Sequence, residues 1–312
     1  MAFSTDTATD YLDLLDRLRT FALANGWTSL RYDIGDQGGQ ERQLILKGAG
    51  LSGADEIFIG IDTQRNVADD WYNWRCNGLL GFNAEMTFLN QPGSLNFSAA
   101  PYLPRLHLWN NSIKYWFIVN GRRIIVVAKV STVYQLGYLG WINPYLPPSA
   151  MPYPLMIAGT STASSGERWS VADATHSFGV MQPNCIGDDI LANPRSSCRF
   201  WFSEWHGIQN SYQGATNSLT DWKGLWPYVQ YSHFTFNKLR ANFSDGSYQL
   251  APIIPSFHHP SPQIFGELDG VYFVSGYGNA AENIITIDTV NYLVVQNVYR
   301  TGQFDYCAVR LS

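Results

Sequence analysis

Six histidines, four cysteines and two pairs of adjacent aspartates are the residues of this chain most able to do chemistry. His258 and His259 are neighbours, followed by Pro260. Adjacent residues in an extended chain point to opposite sides, so these two are poorly placed to share one metal ion. His206 stands two residues after Glu204. In a strand they would share a face, as an acid and a base could. The sequence shows no third group to orient them, and a simple packing pair is the stronger reading. Asp69-Asp70 and Asp188-Asp189 offer carboxylates for glycoside hydrolysis or for calcium. Neither pair sits in the spaced Asp/Asn/Gly loop of a calcium-binding hand. Asp69-Asp70 is read instead as the acidic start of a short helix, where the helix dipole favours negative charge.

Cys76, Cys185, Cys198 and Cys307 are widely spaced, with no CxxC pair and no histidine at metal-ligand spacing. The opening MAFSTDTATDYLDLL has neither the basic stretch nor the apolar core of a secretory signal. The cysteines are therefore read as buried free thiols, kept reduced in a cytoplasm. Phosphate-binding glycine loops, a GxSxG elbow and an HExxH zinc motif are all missing from the sequence. No catalytic, cofactor-binding or metal-ligating residue is assigned.

Composition narrows the class. Charged residues make up 14% of the 312, against roughly a quarter in ordinary soluble domains. Aromatic residues reach 15%, which argues against disorder. Such a balance fits a β-rich protein partly covered by partners, or an enzyme or lectin whose aromatic side chains line a sugar cleft. The net charge is −5 and the basic residues are scattered, so no nucleic-acid-binding stripe exists. The densest basic pair, Arg122-Arg123, is expected in solvent beside a turn. No apolar run approaches the roughly 18 residues of a membrane helix.

These residues must be positioned by a small set of elements. One helix is predicted near the start, with Tyr11, Leu14, Leu15, Leu18, Phe21 and Ala22 on one face. Asp6 or Thr7 would cap it, and Asn25-Gly26 would end it. Strands are expected at Thr28–Tyr32, Arg42–Leu46 and Glu56–Asp62, the last burying Ile57, Ile59 and Ile61 on one face. Val67–Trp74 is ambiguous and is read as a short helix. Lys114–Val119 and Arg122–Val130 form a hairpin closed by Asn120-Gly121, whose sequence suits the positive φ angles of a two-residue turn. Further strands are expected at Arg199–Glu204, Gly224–Phe236, Gln249–Ile254, Val271–Ser275, Ile284–Ile287, Tyr292–Tyr299 and Tyr306–Leu311. Gly159–Gly166 and Pro183–Ser197 read as loops. The expected fold is α+β and mostly β. A small helix-on-sheet layer over residues 1–100 precedes a β-sandwich or barrel-like region with long loops over residues 101–312.

Between Tyr134 and Leu155 the chain is aromatic, proline-rich and uncharged. At about 25 cal/mol per Å² of apolar surface, leaving such a segment in water would cost many kcal/mol. It must cover either the protein's own core or a neighbouring chain. The interface reading makes Tyr138, Trp141, Tyr145 and Tyr153 its anchors, on a loop stiffened by Pro144, Pro147, Pro148, Pro152 and Pro154.

Three long blocks carry a resemblance. YWFIVNGRRIIVVAKVSTVY with the following YLG and PYPLMIAG, then ERQLILKGAGLSGADEIFIGI, and DGVYFVSGYGNAAENIITIDTVNYLVVQNVYRTGQFDYCAVRL resemble segments of virion structural proteins of tailed bacteriophages. The resemblance implies a tail-associated component of the neck or baseplate, assembled in the host cytoplasm and resident in the virion. It implies no enzyme and no cofactor, and as partners copies of the same chain and other tail proteins, with neither nucleic acid nor membrane. Two other classes stay open: a carbohydrate-binding module, and a glycan-cleaving tail protein acting at the host surface.

Overall fold

The computed structural model describes residues 1–35, 41–94, 104–161, 168–170, 176–183, 198–199, 223–226, 247–258, 262–264, 266–302 and 304–312. In chain order these form β1 (Ala2–Ala8), α1 (Tyr11–Leu23), β2 (Trp27–Ile34), β3 (Arg42–Gly48), β4 (Ile57–Asn66), β5 (Trp71–Leu79) and β6 (Arg105–Leu108). There follow β7 (Ile113–Asn120), β8 (Arg123–Val130), β9 (Val133–Trp141), β10 (Asn143–Pro144), β11 (Leu155–Ser161), β12 (His176–Pro183), β13 (Cys198–Arg199) and β14 (Lys223–Trp226). The last group is β15 (Ala251–Pro252), β16 (Ile254–His258), β17 (Pro262–Ile264), β18 (Gly266–Glu267), β19 (Val271–Phe273), β20 (Ile284–Ile287), β21 (Val290–Gln296) and β22 (Tyr306–Arg310).

The fold is α+β and mostly β. Its frame is a curled antiparallel sheet, a half-barrel, running β1-β7-β8-β9-β11-β6-β5-β4-β3-β2, with β12 and β13 added beside β11. This sheet joins strands from both sides of the expected boundary at residue 100: β1 pairs with β7, and β5 with β6. A five-stranded sheet, β15-β19-β22-β21-β20, supplies a second layer.

Alternation along β7 and β8 explains how the layers stack. Ile113, Tyr115, Phe117 and Val119, with Ile124, Val126 and Ala128, point to the hollow of the half-barrel. There they meet Tyr11, Leu14, Leu15, Leu18 and Ala22 of α1. Trp116, Ile118, Ile125 and Val127 point the other way, onto Val271, Phe273, Leu293, Val295 and Val309 of the second sheet. The hairpin is apolar almost throughout because both its faces are covered. β4 is likewise buried on both sides. Ile57, Ile59 and Ile61 face the hollow, while Phe58 packs with Ile45, Leu79 and Phe88 on the outside.

Several expectations need correction. α1 is capped by Asp10, whose Oδ1 accepts from the N–H groups of Leu12 and Asp13, both at 2.8 Å. Asp6 and Thr7, expected as caps, lie in β1, because the chain preceding the helix pairs with β7. Gly26 does end the helix with a positive φ of 90°. Residues 71–74 open β5 rather than a helix, since they pair with β4. Asp69 and Asp70 therefore occupy a hairpin turn, where Asn66 Nδ2 donates to Asp69 and Arg168 pairs with Asp70.

The β7–β8 hairpin forms with Asn120 opposite Arg123, so its two turn residues are Gly121 and Arg122, one position later than expected. Neither has positive φ. Asn120 Oδ1 instead accepts from the N–H groups of Arg122 and Arg123, each at 2.9 Å, and holds the turn as an asparagine-led turn does. Gly121 is required for space: a Cβ there would overlap the carbonyl of Gly50. Arg123 is buried rather than solvated, because the 268–270 turn closes over the hairpin end and brings Asp269 Oδ2 to 3.1 Å from its Nε.

Candidate functional site

Of the residues singled out for chemistry, Glu204, His206, Asp188, Asp189 and His259 lie outside the described residues, as do Cys185 and most of the expected strands Arg199–Glu204 and Gly224–Phe236. His258 belongs to β16, paired with Pro262. Cys76 and Cys307 are buried free thiols, and burial pushes both well above the usual thiol range. Among the described residues no group of three His, Cys, Asp or Glu side chains converges as a metal site would. Nor is any helix among them long and apolar enough to cross a membrane.

The four expected anchors do not form one surface. Tyr138 is 0% exposed and lies in the core between the two sheets. Its hydroxyl donates to Trp141 O at 2.6 Å and accepts from Asp269 N at 3.2 Å. Tyr153 bridges the ends of β4 and β5, donating to Leu79 O at 2.7 Å and accepting from Phe58 N at 3.0 Å. Burial raises the pKa of both phenols. Trp141 is half-buried and meets Tyr153 edge-on at 5.8 Å. Residues 134–141 of the supposed loop are thus part of β9, an interior strand whose aromatic residues serve the fold. Tyr138 is core in the single chain, where an interface anchor was expected, while Trp141 and Tyr153 are partly buried against the large sheet. Tyr145 remains at the surface, 52% exposed, with Leu146 beside it. It sits just beyond β10, which pairs with β18, and its hydroxyl donates to Glu267 at 2.9 Å.

A different surface was not anticipated from the sequence. β1 is an outer strand of the large sheet, and among the described residues no strand pairs with its outer side. It has an unbroken seven-residue register with β7, and its side chains are mostly exposed. After Asp10 the chain turns back and α1 lies along it: Arg17 reaches Asp6 at 2.7 Å, and the Phe21 ring lies 6.4 Å from that of Phe117, which pairs with Ser4. Between strand and helix runs an open groove of about 540 Å³, lined by Ser4, Asp13, Asp16, Thr20, Phe21 and Tyr115. The only sequence signal for it is the run AFSTDTA, which lacks proline, glycine and lysine and fits a strand.

Comparison with known proteins adds no relative: no protein-family model and no curated protein matches this chain.

Proposed function

We propose that this chain is a structural subunit of a tailed-phage virion, part of a multi-subunit ring or complex in the tail, at the neck or baseplate. The observation that carries the reading is the outer side of β1. A flat, uncovered strand at a sheet edge is a template for another chain, and proteins that live alone blunt such edges with lysine, proline, bulges or covering loops. β1 has none of these on its outer side among the described residues. Exposed Phe3 and Met1 at its start, and Tyr145 with Leu146 on the proline loop, give further apolar surface of the kind an assembly covers. The resemblance of the three long sequence blocks to virion structural proteins gives the assembly its class. Ring contacts of this kind join two different patches and close by rotation.

Cryo-electron microscopy of purified particles is the direct test. Density for this chain in a tail ring, with β1 covered by a neighbour, is the expected result. Particles that lack the chain, or hold it with β1 bare, overturn the reading.

A further inference from the structure

We propose that the β1 edge and the groove beside α1 bind an extended, basic segment of another protein chain, which adds as a strand to β1 and places a lysine or arginine side chain in the groove. The inference rests on the assembly reading and names the partner of its open edge. Strand addition needs an unpaired edge and, for specificity, a pocket that takes alternate side chains of the incoming strand. Both are present: β1 offers its outer main chain, and α1 forms a wall alongside it.

The groove selects charge. Two carboxylates line it, those of Asp13 and Asp16, against the guanidinium of Arg17, which also pairs with Asp6 just outside the lining. Arg17 is engaged with Asp6 and Asp13, at 2.7 and 2.9 Å. The other cations that act on Asp16 are directed elsewhere: Arg19 lies over the Tyr32 ring and Arg42 donates to Glu41 O. The last turn of α1 carries no basic residue, so the negative end of the helix dipole also faces a cation. Phe21 and Tyr115 supply ring surface for the methylene stem of a lysine or arginine. An acidic segment would meet like charge here and would be rejected.

The test uses the full chain and a short fluorescein-labelled peptide of alternating threonine and valine with one central lysine. Fluorescence anisotropy should show binding that weakens as salt is added. The same peptide with glutamate at the centre should not bind. Asp16→Asn, at an exposed position that leaves the fold intact, should weaken the lysine peptide about two- to fivefold, and Asp16→Lys should weaken it further. A peptide N-methylated at two consecutive central amides, which removes a donor from each of its strand edges, should fail to bind. Equal binding of the lysine and glutamate peptides, undiminished binding of the N-methylated one, or binding of none overturns the inference. So does self-association of the chain through β1 in sedimentation that the lysine peptide does not reverse. A chain found in tail particles that binds no peptide sinks this inference alone. A chain absent from particles sinks the assembly reading whatever the peptide does.

Discussion

The two margins of the large sheet end in unlike strands. At one margin, β2 is bent by a bulge between Ser29 and Arg31. Arg31 there pairs with Asp33 and donates to the carbonyls of Ala84 and Met86, so the 83–86 loop is tied to this margin. At the other margin, β1 runs straight, without a bulge and with its side chains exposed. A bulge and a tied-down loop at an edge are devices that prevent unwanted strand pairing; among the described residues β1 has neither, and its one charge, Asp6, is paired with Arg17. One sheet thus carries a guarded margin and an open one, and the open one adjoins the helix groove. The contrast is what the proposed docking of a partner at β1 rests on, and composition does not reveal it.

Elements next to the two margins touch at the β7–β8 turn, and the largest predicted effect lies there. Gly121, in the β7–β8 turn, abuts Gly50 near β3; Gly50 N donates to Gly121 O at 2.8 Å, and Trp27 Nε1 of β2 donates to Asn120 O at 2.7 Å. Gly121→Val should cost about 3 kcal/mol in denaturant unfolding, because the obstruction is backbone and cannot rotate away. Gly121→Ala should cost nearly as much, since the Cβ itself is what overlaps. If alanine is tolerated, these elements do not meet as described.

A smaller effect is expected on the open side alone. Glu282 accepts from Lys114 on β7, Lys129 on β8 and Tyr134 on β9, each at 2.6 Å. Burial pushes its carboxyl up, but these hydrogen bonds outweigh that and hold it at about 2, below its usual 4.5. Because the folded pKa is the lower one, the stabilisation is complete above the unfolded value and is lost as pH falls through about 2. Glu282→Gln should remove that acid-side loss and lower stability at neutral pH by about 1 kcal/mol, a figure reduced for solvent screening. A variant whose unfolding retains the wild-type pH profile between pH 2 and 5 would show that Glu282 is not the group responsible.

The smallest predicted change concerns α1. Asp10→Ala removes two hydrogen bonds to the helix start and should cost about 1 kcal/mol. In hydrogen exchange the loss should fall on α1 and β1, with β2 and β3 unchanged. Equal deprotection at both margins would abolish the distinction drawn between them.

Much of the fold was legible in the sequence. The apolar face of α1 and its glycine end are local properties, set by a period of 3.6 residues and by one backbone conformation. Strands such as Arg42–Gly48, Ile284–Ile287 and Tyr306–Arg310 were legible in short β-rich runs between turns. The hairpin was legible too, but its register was not. Asn120-Gly121 suits a positive-φ turn, yet Asn120 capping and the nearness of Gly50 moved the turn by one residue. β1 was missed because AFSTDTA, small and polar apart from Phe3, forms a strand here by pairing with β7, more than 100 positions away.

The sequence by itself determined that this is a β-rich protein with one amphipathic helix, and that the uncharged aromatic segment had to be covered. Only the tertiary structure decided what covers it. Tyr138 is core because β19 and the 268–270 turn fold back over β9, while Tyr145, a few residues on, is exposed beyond β10. Period-two alternation reports which side chains share a face of a strand. It does not report whether a distant strand lies against that face, because that depends on contacts across most of the chain's length.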